Sequence, residues 1–196
     1  MGAFGGLILT NKGRNLQAKA QTGGGLHYTR IAIGDGELGG RVIVDLNALV
    51  NEKLSLPISK LKVLTGGKAV VGTVLSNQNV SSGFYFREIG VFAQDPNEGE
   101  ILYCYGNCGP TAEYIPAGGG PDVIEKTIDV ITIIGKPSNV TATLDSSLIW
   151  ETPEGAQAKV DAHANDTTKH IGLATTDPAG LVIGGAASIG TATTAA

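Results

Sequence analysis

Hydrophobic and polar positions alternate along most of the first 150 residues, and this pattern predicts half-buried β-strands. In segment 26–33, LHYTRIAI, Leu26 and Tyr28 occupy even-numbered positions, whereas Ile31 and Ile33 occupy odd-numbered positions. Further strands are predicted at 68–76, 83–93, 100–106, 123–135 and 139–149. The clusters of Gly, Asn and Asp that separate them are typical of turns.

The last two predicted strands show the period of two over their full length. In 123–135 the residues that share one parity are Ile124, Ile128, Val130 and Ile134. In 139–149 they are Val140, Ala142, Leu144, Ser146 and Leu148. Each strand is therefore expected to bury one face.

A helix is predicted near the start of the chain, in the segment TNKGRNLQAKAQT. Thr10 or Asn11 can cap its N-terminus, and the run Gly23–Gly25 can end it. Gly13 lies inside this helix, where glycine costs about 1 kcal/mol relative to alanine. By propensity alone, an alanine would be the better residue at that position.

Two further helical signals follow. Asp45 can cap a short helical turn through Val50, before an extended segment that Pro57 interrupts. Near the end of the β-rich region, Thr152 can cap a helix with Pro153 at its first position. The pattern therefore predicts a β-rich domain over 1–150, a helix over 151–171, and a Gly/Ala/Thr-rich tail over 172–196.

Composition and charge narrow the classes of function. The 196 residues carry a net charge of −4, with no cluster of Lys or Arg, so nucleic-acid binding is not expected. No apolar run is long enough to cross a bilayer, and no signal peptide is recognisable, so we expect synthesis in a cytoplasm without membrane insertion. Cys104 and Cys108 lack a second Cys/His pair, and we expect reduced, structural thiols.

The segment IAIGDGELGG contains Gly34, Gly36 and Gly39 in the spacing G-x-G-x-x-G, which also occurs in dinucleotide-binding loops. Such a loop needs a helix directly after the glycines, because the free N–H groups of that helix bind the pyrophosphate. Here the β-branched sequence GRVIVD follows instead. We therefore predict a tight turn at Asp35–Gly36, with Gly36 supplying a positive φ.

No other arrangement predicts catalysis. The sequence contains neither G-x-S-x-G nor a Walker-type loop, and its carboxylates are scattered singly. The histidines are His27, His163 and His170, of which His27 lies in a predicted strand. We therefore predict no catalytic, cofactor-binding or metal-binding residue, no cofactor, and no enzymatic activity.

The order of several segments resembles the N-terminal region of phage tail fibre (tail-collar fibre) proteins. These segments are GLILTNKGRNLQAKA, YTRIAIGDG, LNALVNEKLSLPISKLKV, GFYFREIGVF and LDSSLIWETPEGAQAKVDAHAND. The resemblance covers about Gly6 to His170, and its most specific pieces are the Ile-Gly-Asp-Gly turn, LVNE and FREIGVF. It departs at 172–196, a low-complexity tract where a stalk and a receptor-binding tip are expected.

The resemblance implies a structural protein of contractile-tailed phages or phage-tail-like bacteriocins. We expect a homotrimer that anchors a fibre to a baseplate protein and supports host attachment, with a distal fibre protein or a chaperone as a further partner. We expect it in the virion or tail-like particle, assembled in the bacterial cytoplasm. The fold expected is mainly β (α+β), antiparallel, with short flanking helices, a stalk-entry helix, and a thin trimeric or disordered tail. The alternatives are a receptor- or carbohydrate-binding module and a fibre-borne glycan hydrolase.

The predicted C-terminal helix has the spacing of a coiled-coil seam at Ala156, Val160, His163, Thr167 and His170. Two heptads of small or polar residues cannot hold helices together alone, so association would depend on the preceding domain. In a trimer, His163 and His170 would form rings on the axis that can hold an ion. The simpler interpretation is that both are solvated histidines at the end of the helix.

The segment FYFREIGVF raises one further question. Arg87 and Glu88 are neighbours on a predicted strand and should face opposite sides. Arg87 can pair with an acidic baseplate partner, although pairing within the sheet or exposure to water is the simpler expectation. Phe84, Phe86, Ile89 and Val91 are expected in the core or in a subunit interface.

Overall fold

The computed structural model describes residues 4–134, 140–145 and 153–165. The strands in these ranges are β1 (Ile8–Leu9), β2 (Leu26–Gly34), β3 (Glu52–Pro57), β4 (Lys60–Leu64), β5 (Lys68–Ser76), β6 (Phe84–Phe86), β7 (Glu88–Asp95), β8 (Gly99–Asn107), β9 (Glu113–Ile115), β10 (Glu125–Ile133) and β11 (Val140–Ala142). The α-helices are α1 (Asn11–Gln21) and α2 (Pro153–Ala164), and single 3₁₀ turns lie at Ile43–Asp45 and Gly109–Thr111.

The strands form three sheets. The largest has the order β1-β8-β7-β2-β11, and β3 also pairs with β2. A second sheet has the order β10-β5-β4, and β6 and β9 form a two-stranded ribbon. Every pairing between these strands is antiparallel except that of β11 with β2, which is parallel. The predicted mainly β, antiparallel fold with short helices is confirmed.

A bulge in β2 explains the change of parity in its sequence. Opposite β7, Tyr28 pairs with Ala93 and Arg30 pairs with Phe92, so Thr29 is an extra residue in the ladder. A one-residue shift exchanges the two faces of a strand. Tyr28 before the bulge and Ile31 after it can therefore enter the same hydrophobic core, and both are fully buried.

The main core draws residues from all three sheets and from α1. Its members with no exposed surface are Leu16, Tyr28, Ile31, Ile33, Ile58, Ala69, Val71, Leu75, Val91, Tyr103 and Ile115. The predicted inward parity of β10 is confirmed, since Ile128, Val130 and Ile134 are buried whereas Ile131 is 63% exposed. Phe84 and Phe86 also lie in this core, as one of the two expectations for them stated.

Helix α1 begins and ends as the sequence predicts. The Thr10 side chain accepts a hydrogen bond from the backbone N–H of Gly13 at 2.9 Å, and the chain leaves the helix through Gly23 at φ 116°. The helix packs against β8 so closely that a Cβ on Gly13 would lie 2.8 Å from the Tyr103 carbonyl carbon. Only glycine fits at this point of contact.

The segment 35–51, which we call the cover loop, closes the other face of the large sheet. Its Leu49 is buried in a second hydrophobic cluster with Ala32, Phe92, Leu102 and Tyr105. Leu38, Ile43 and Leu46 of the loop pack against the same cluster. Strands β7 and β8 are consequently buried on both faces, and so six consecutive residues of each are buried.

The predicted helix from Asp45 to Val50 is wrong. The helical turn lies one step earlier, at Ile43–Asp45, and Asp45 ends it rather than caps it. In a helix the N–H of Val50 would donate to a carbonyl four residues back. Here it donates instead to the Glu88 carboxylate at 2.8 Å, and the apolar residues of the loop pack on the face of the large sheet.

Other differences from the predicted elements are local. The segment predicted as one strand at 83–93 is two strands, because the chain changes partner sheet at Arg87. The short strands β1 and β9 carry no pattern that predicts them. In the last predicted strand, Val140–Ala142 pair with β2 and Leu144 forms an isolated parallel bridge with Ile58, although Leu144 is 44% exposed instead of buried. Ser146, Leu148, Thr152, Thr167 and His170 lie outside the described residues.

Helix α2 spans Pro153–Ala164 and lies within the helix predicted over 151–171, of which residues 151–152 and 166–171 lie outside the described ranges. The boundaries 1–150, 151–171 and 172–196 remain predictions.

An ion pair fastens α1 to the turn between β7 and β8. Lys19 Nζ lies 2.7 Å from a carboxylate oxygen of Asp95, which is buried and also accepts hydrogen bonds from the N–H groups of Asn97 and Glu98. Burial alone would raise the pKa of Asp95. The bond from Lys19 and the two backbone bonds together outweigh burial and hold that pKa below its ordinary value.

Gly13→Ala should destabilise the domain, although alanine is the better helix former. The methyl group meets backbone atoms of Tyr103, which cannot move aside like a side chain, so we expect a loss of about 1–3 kcal/mol in free energy of unfolding. Chemical denaturation measures this loss. Asn15→Ala, at an exposed position of the same helix, is the control and should change stability by less than about 0.5 kcal/mol. Equal effects would contradict the close approach of helix and strand.

Acidification should weaken the attachment of α1. A lowered native pKa stabilises the fold above the pKa of the unfolded chain, and this contribution disappears as the pH falls through the native value. Between pH 5 and pH 2, the wild type should therefore lose more free energy of unfolding than Asp95→Asn. Asp129→Asn, which removes an exposed pair with Lys60, is the control and should keep nearly the wild-type slope. Parallel curves for wild type and Asp95→Asn would contradict the prediction.

Candidate functional site: the Arg87–Glu88 dipeptide

The side chain of Glu88 is fully buried and accepts four hydrogen bonds. Oε1 accepts from the backbone N–H groups of Gly36 at 3.0 Å and Asn51 at 2.7 Å. Oε2 accepts from the N–H of Val50 at 2.8 Å and from the Tyr105 hydroxyl at 2.8 Å. A buried carboxylate is tolerated only when its oxygens are satisfied in this way. Glu88 therefore fixes both ends of the cover loop on the sheet.

The glycines of the G-x-G-x-x-G segment take part in this site. A Cβ on Gly36 would lie 2.5 Å from the Val50 Cβ and 2.6 Å from Glu88 Oε1, and a Cβ on Gly34 would also lie 2.6 Å from that oxygen. The predicted positive φ at Gly36 is wrong, since the left-handed residues are Gly39 and Gly40 at φ 53° and 83°. Gly36 is required by close approach, because its backbone must reach a carboxylate. The anion bound by this glycine segment is the chain's own Glu88.

Tyr105 and Asn107 extend the network toward the surface. Burial raises the pKa of Tyr105 above its usual range, so its hydroxyl keeps the proton that it donates to Glu88. Asn107 donates through Nδ2 to the Tyr105 oxygen at 2.9 Å and to the Gly36 carbonyl at 3.0 Å. Its Oδ1 accepts from the N–H of Gly109 at 2.9 Å. The end of β8 and the start of the cover loop are thus joined.

Arg87 lies at the edge of this network and faces a pocket. Its Nε donates to the Gly109 carbonyl at 3.2 Å, and its Nη1 donates to the Asp35 carbonyl at 2.9 Å. Nη1 also lies 3.1 Å from the carboxylate of Glu37. The pocket has a volume of about 470 Å³ and is lined by Glu37, Leu38, Arg87, Asn107, Gly109 and Pro110. Arg87 therefore pairs within the domain, but its acidic partner belongs to the cover loop and not, as the simpler expectation stated, to the sheet.

The remaining residues considered from the sequence lie elsewhere. Cys104 and Cys108 are free and buried, as predicted, and burial raises the pKa of both thiols, that of Cys104 to about 12. His163 lies in α2. Across residues 4–134, 140–145 and 153–165, no group of three or more His, Cys, Asp or Glu side chains is placed to hold a metal ion. Within the same ranges, no helix has the length and hydropathy needed to cross a bilayer.

One exposed aromatic pair was not predicted from the sequence. Tyr85 of β6 and Tyr114 of β9 are directly opposite in the ribbon, with ring centroids 5.2 Å apart, and are 52% and 51% exposed. The alternation of side chains along a strand is a signal that Tyr85 is exposed, because its neighbours Phe84 and Phe86 are both buried on the other face. Tyr114 has no such signal, because its strand has only three residues.

A comparison with protein families gives a match over most of the chain. The family described as phage tail-collar fibre protein, N-terminal, matches residues 3–154. The chain belongs to the phage tail-collar fibre family. The match includes the cover loop, the Arg87–Glu88 dipeptide and the start of α2. Searches of curated proteins and of solved structures give no match.

Family membership gives this tail-collar fibre domain a structural role in the phage tail, and it implies a location in the virion tail. Because this family is structural, membership in it also favours a protein without enzymatic activity. The expectation of a phage tail fibre protein is therefore confirmed at this level. The carbohydrate-binding and hydrolase alternatives are not tested by the match.

Glu88→Gln should strongly destabilise the tail-collar fibre domain. The amide keeps the shape of the side chain but loses the charge and turns an NH₂ group toward N–H donors, so we expect a loss of about 3 kcal/mol. Denaturation measures the loss, and hydrogen exchange should accelerate most at Gly36, Val50 and Asn51. Glu100→Gln is the matched control, since Glu100 forms its bonds to Thr29 and Arg30 at the surface and should cost less than about 1 kcal/mol. Similar losses in both variants would show that Glu88 does not organise the loop.

Proposed function

We propose that this chain forms a homotrimer and anchors a tail fibre to the baseplate of a contractile tail. The observation that carries the proposal is the family match over residues 3–154, which ends just inside α2. The β-rich domain would dock on a baseplate protein, and α2 would lead into the fibre. A distal fibre protein or a chaperone is a further proposed partner, and assembly would take place in the bacterial cytoplasm.

The exposure of α2 supports association between copies. Every residue from Ala156 to Asn165 is exposed, and the Val160 side chain is 59% exposed. A helix of 12 residues is marginal in water unless packing stabilises it. The apolar positions Ala156 and Val160 have the spacing of a coiled-coil seam, and His163 continues it. Contacts with other copies would supply the packing that this short helix needs.

Sedimentation equilibrium of the full chain tests the trimer. Three copies of the 20.0 kDa chain should give about 60 kDa. Val160→Lys places a charge on the proposed seam and should weaken association at least about tenfold, as expected for a charge buried without a partner. Ala158→Lys changes an exposed position off the seam and is the matched control. A mass of 20 kDa at all concentrations would contradict the trimer, and equal effects of the two lysines would contradict the seam.

Assembly with a purified baseplate protein tests the anchoring role separately. Incorporation of the wild-type chain into tail particles is the expected result. A stable trimer that never joins a particle would remove the anchoring function and leave the oligomer intact.

A further inference from the structure

The Arg87 guanidinium is held in place before any ligand arrives. Two backbone carbonyls, those of Asp35 and Gly109, orient it through Nη1 and Nε. The hydrogen bonds around Glu88 fix both segments. The N–H of Gly36, next to Asp35, donates to Glu88, and the N–H of Gly109 donates to Asn107. An arginine fixed in this way binds a carboxylate with little loss of side-chain entropy.

The carboxylate that now contacts Arg87 is weakly held. Glu37 lies in the cover loop, and its side chain is 77% exposed, whereas that of Arg87 is 20% exposed. Ion pairs that reach into water in this way contribute little to stability, because water competes for both charges. Water or another carboxylate can therefore replace Glu37 at small cost.

The pocket around this pair fits a short acidic segment. Its volume of about 470 Å³ lies within the range of ligand-binding pockets. Arg87 supplies the charged contact, and Leu38 and Pro110 supply apolar parts of the lining. Charge complementarity selects an anion, and Glu37 itself shows that a carboxylate reaches the guanidinium.

We propose that this pocket binds an acidic side chain of a partner protein, whose carboxylate displaces Glu37 from Arg87. Glu37 is then an internal placeholder, which keeps Arg87 paired until the partner docks. The inference rests on the proposed docking function, because it assigns the partner-binding surface of the β-rich domain. It specifies a glutamate or aspartate next to an apolar residue as the group recognised.

The test uses the full chain and a blocked pentapeptide with one central glutamate flanked by leucines. NMR titration should shift the Arg87 Nε–H signal and the Gly109 amide signal, and the same peptide with glutamine should not shift them. Glu37→Gln removes the competing carboxylate and should raise affinity for the glutamate peptide by up to about fivefold, the upper end for an exposed pair. Glu98→Gln, which breaks the exposed pair with Lys12 at the other end of β8, is the matched control and should leave affinity unchanged.

Two results would overturn the inference. Unchanged or weaker binding by Glu37→Gln would show that Glu37 is not a placeholder. Binding of inorganic phosphate at Arg87 without binding of the glutamate peptide would assign the pocket to a different anion.

Arg87→Lys, checked for folding by thermal unfolding, should reduce peptide affinity several-fold. If this variant does not fold, the Glu37 and Glu98 variants still decide. Loss of peptide binding in a chain that still forms trimers and enters particles would reject this inference alone.

Discussion

One buried carboxylate organises this domain. Glu88 has no exposed surface, and its four hydrogen bonds come from both ends of the cover loop and from Tyr105 of the neighbouring strand. A segment of 17 residues without an α-helix or a strand of its own would otherwise have unsatisfied N–H groups against an apolar sheet. Glu88 satisfies three of them at one point, and so the loop can act as a second layer.

That second layer allows the large sheet to be apolar on both faces. Val91 of β7 faces the main core, whereas Phe92 faces the cluster under the loop. An antiparallel sheet more often leaves one face in water. Here the main core covers one face and the cover loop covers the other. The Arg87 pocket is lined in part by the cover loop, and the exposed Tyr85–Tyr114 pair lies on the β6–β9 ribbon.

The sequence predicted elements whose causes are local. Thr10 caps α1 through its own side chain, and the parity of β10 follows from alternation. What sequence reasoning missed depends on partners distant in the chain. The requirement for Gly36 comes from Glu88, 52 residues away, and the N–H of Val50, which a helix after Asp45 would have used, donates to the same carboxylate. The available signal was Glu88, an acidic residue within the mainly apolar segment FYFREIGVF. If its carboxylate is buried there, it needs several hydrogen-bond donors from other segments.

The parallel pairing of β11 has a consequence for biosynthesis. Val140 completes the edge of the large sheet beside Leu26, and His27 bonds to Thr141 from 114 positions earlier. A ribosome releases the first of these segments long before the second, so that edge stays open while most of the domain is being translated. Pairings of such high sequence separation form slowly. The nascent chain therefore presents an unpaired strand edge, with the attendant risk of aggregation, until residue 142 has left the exit tunnel.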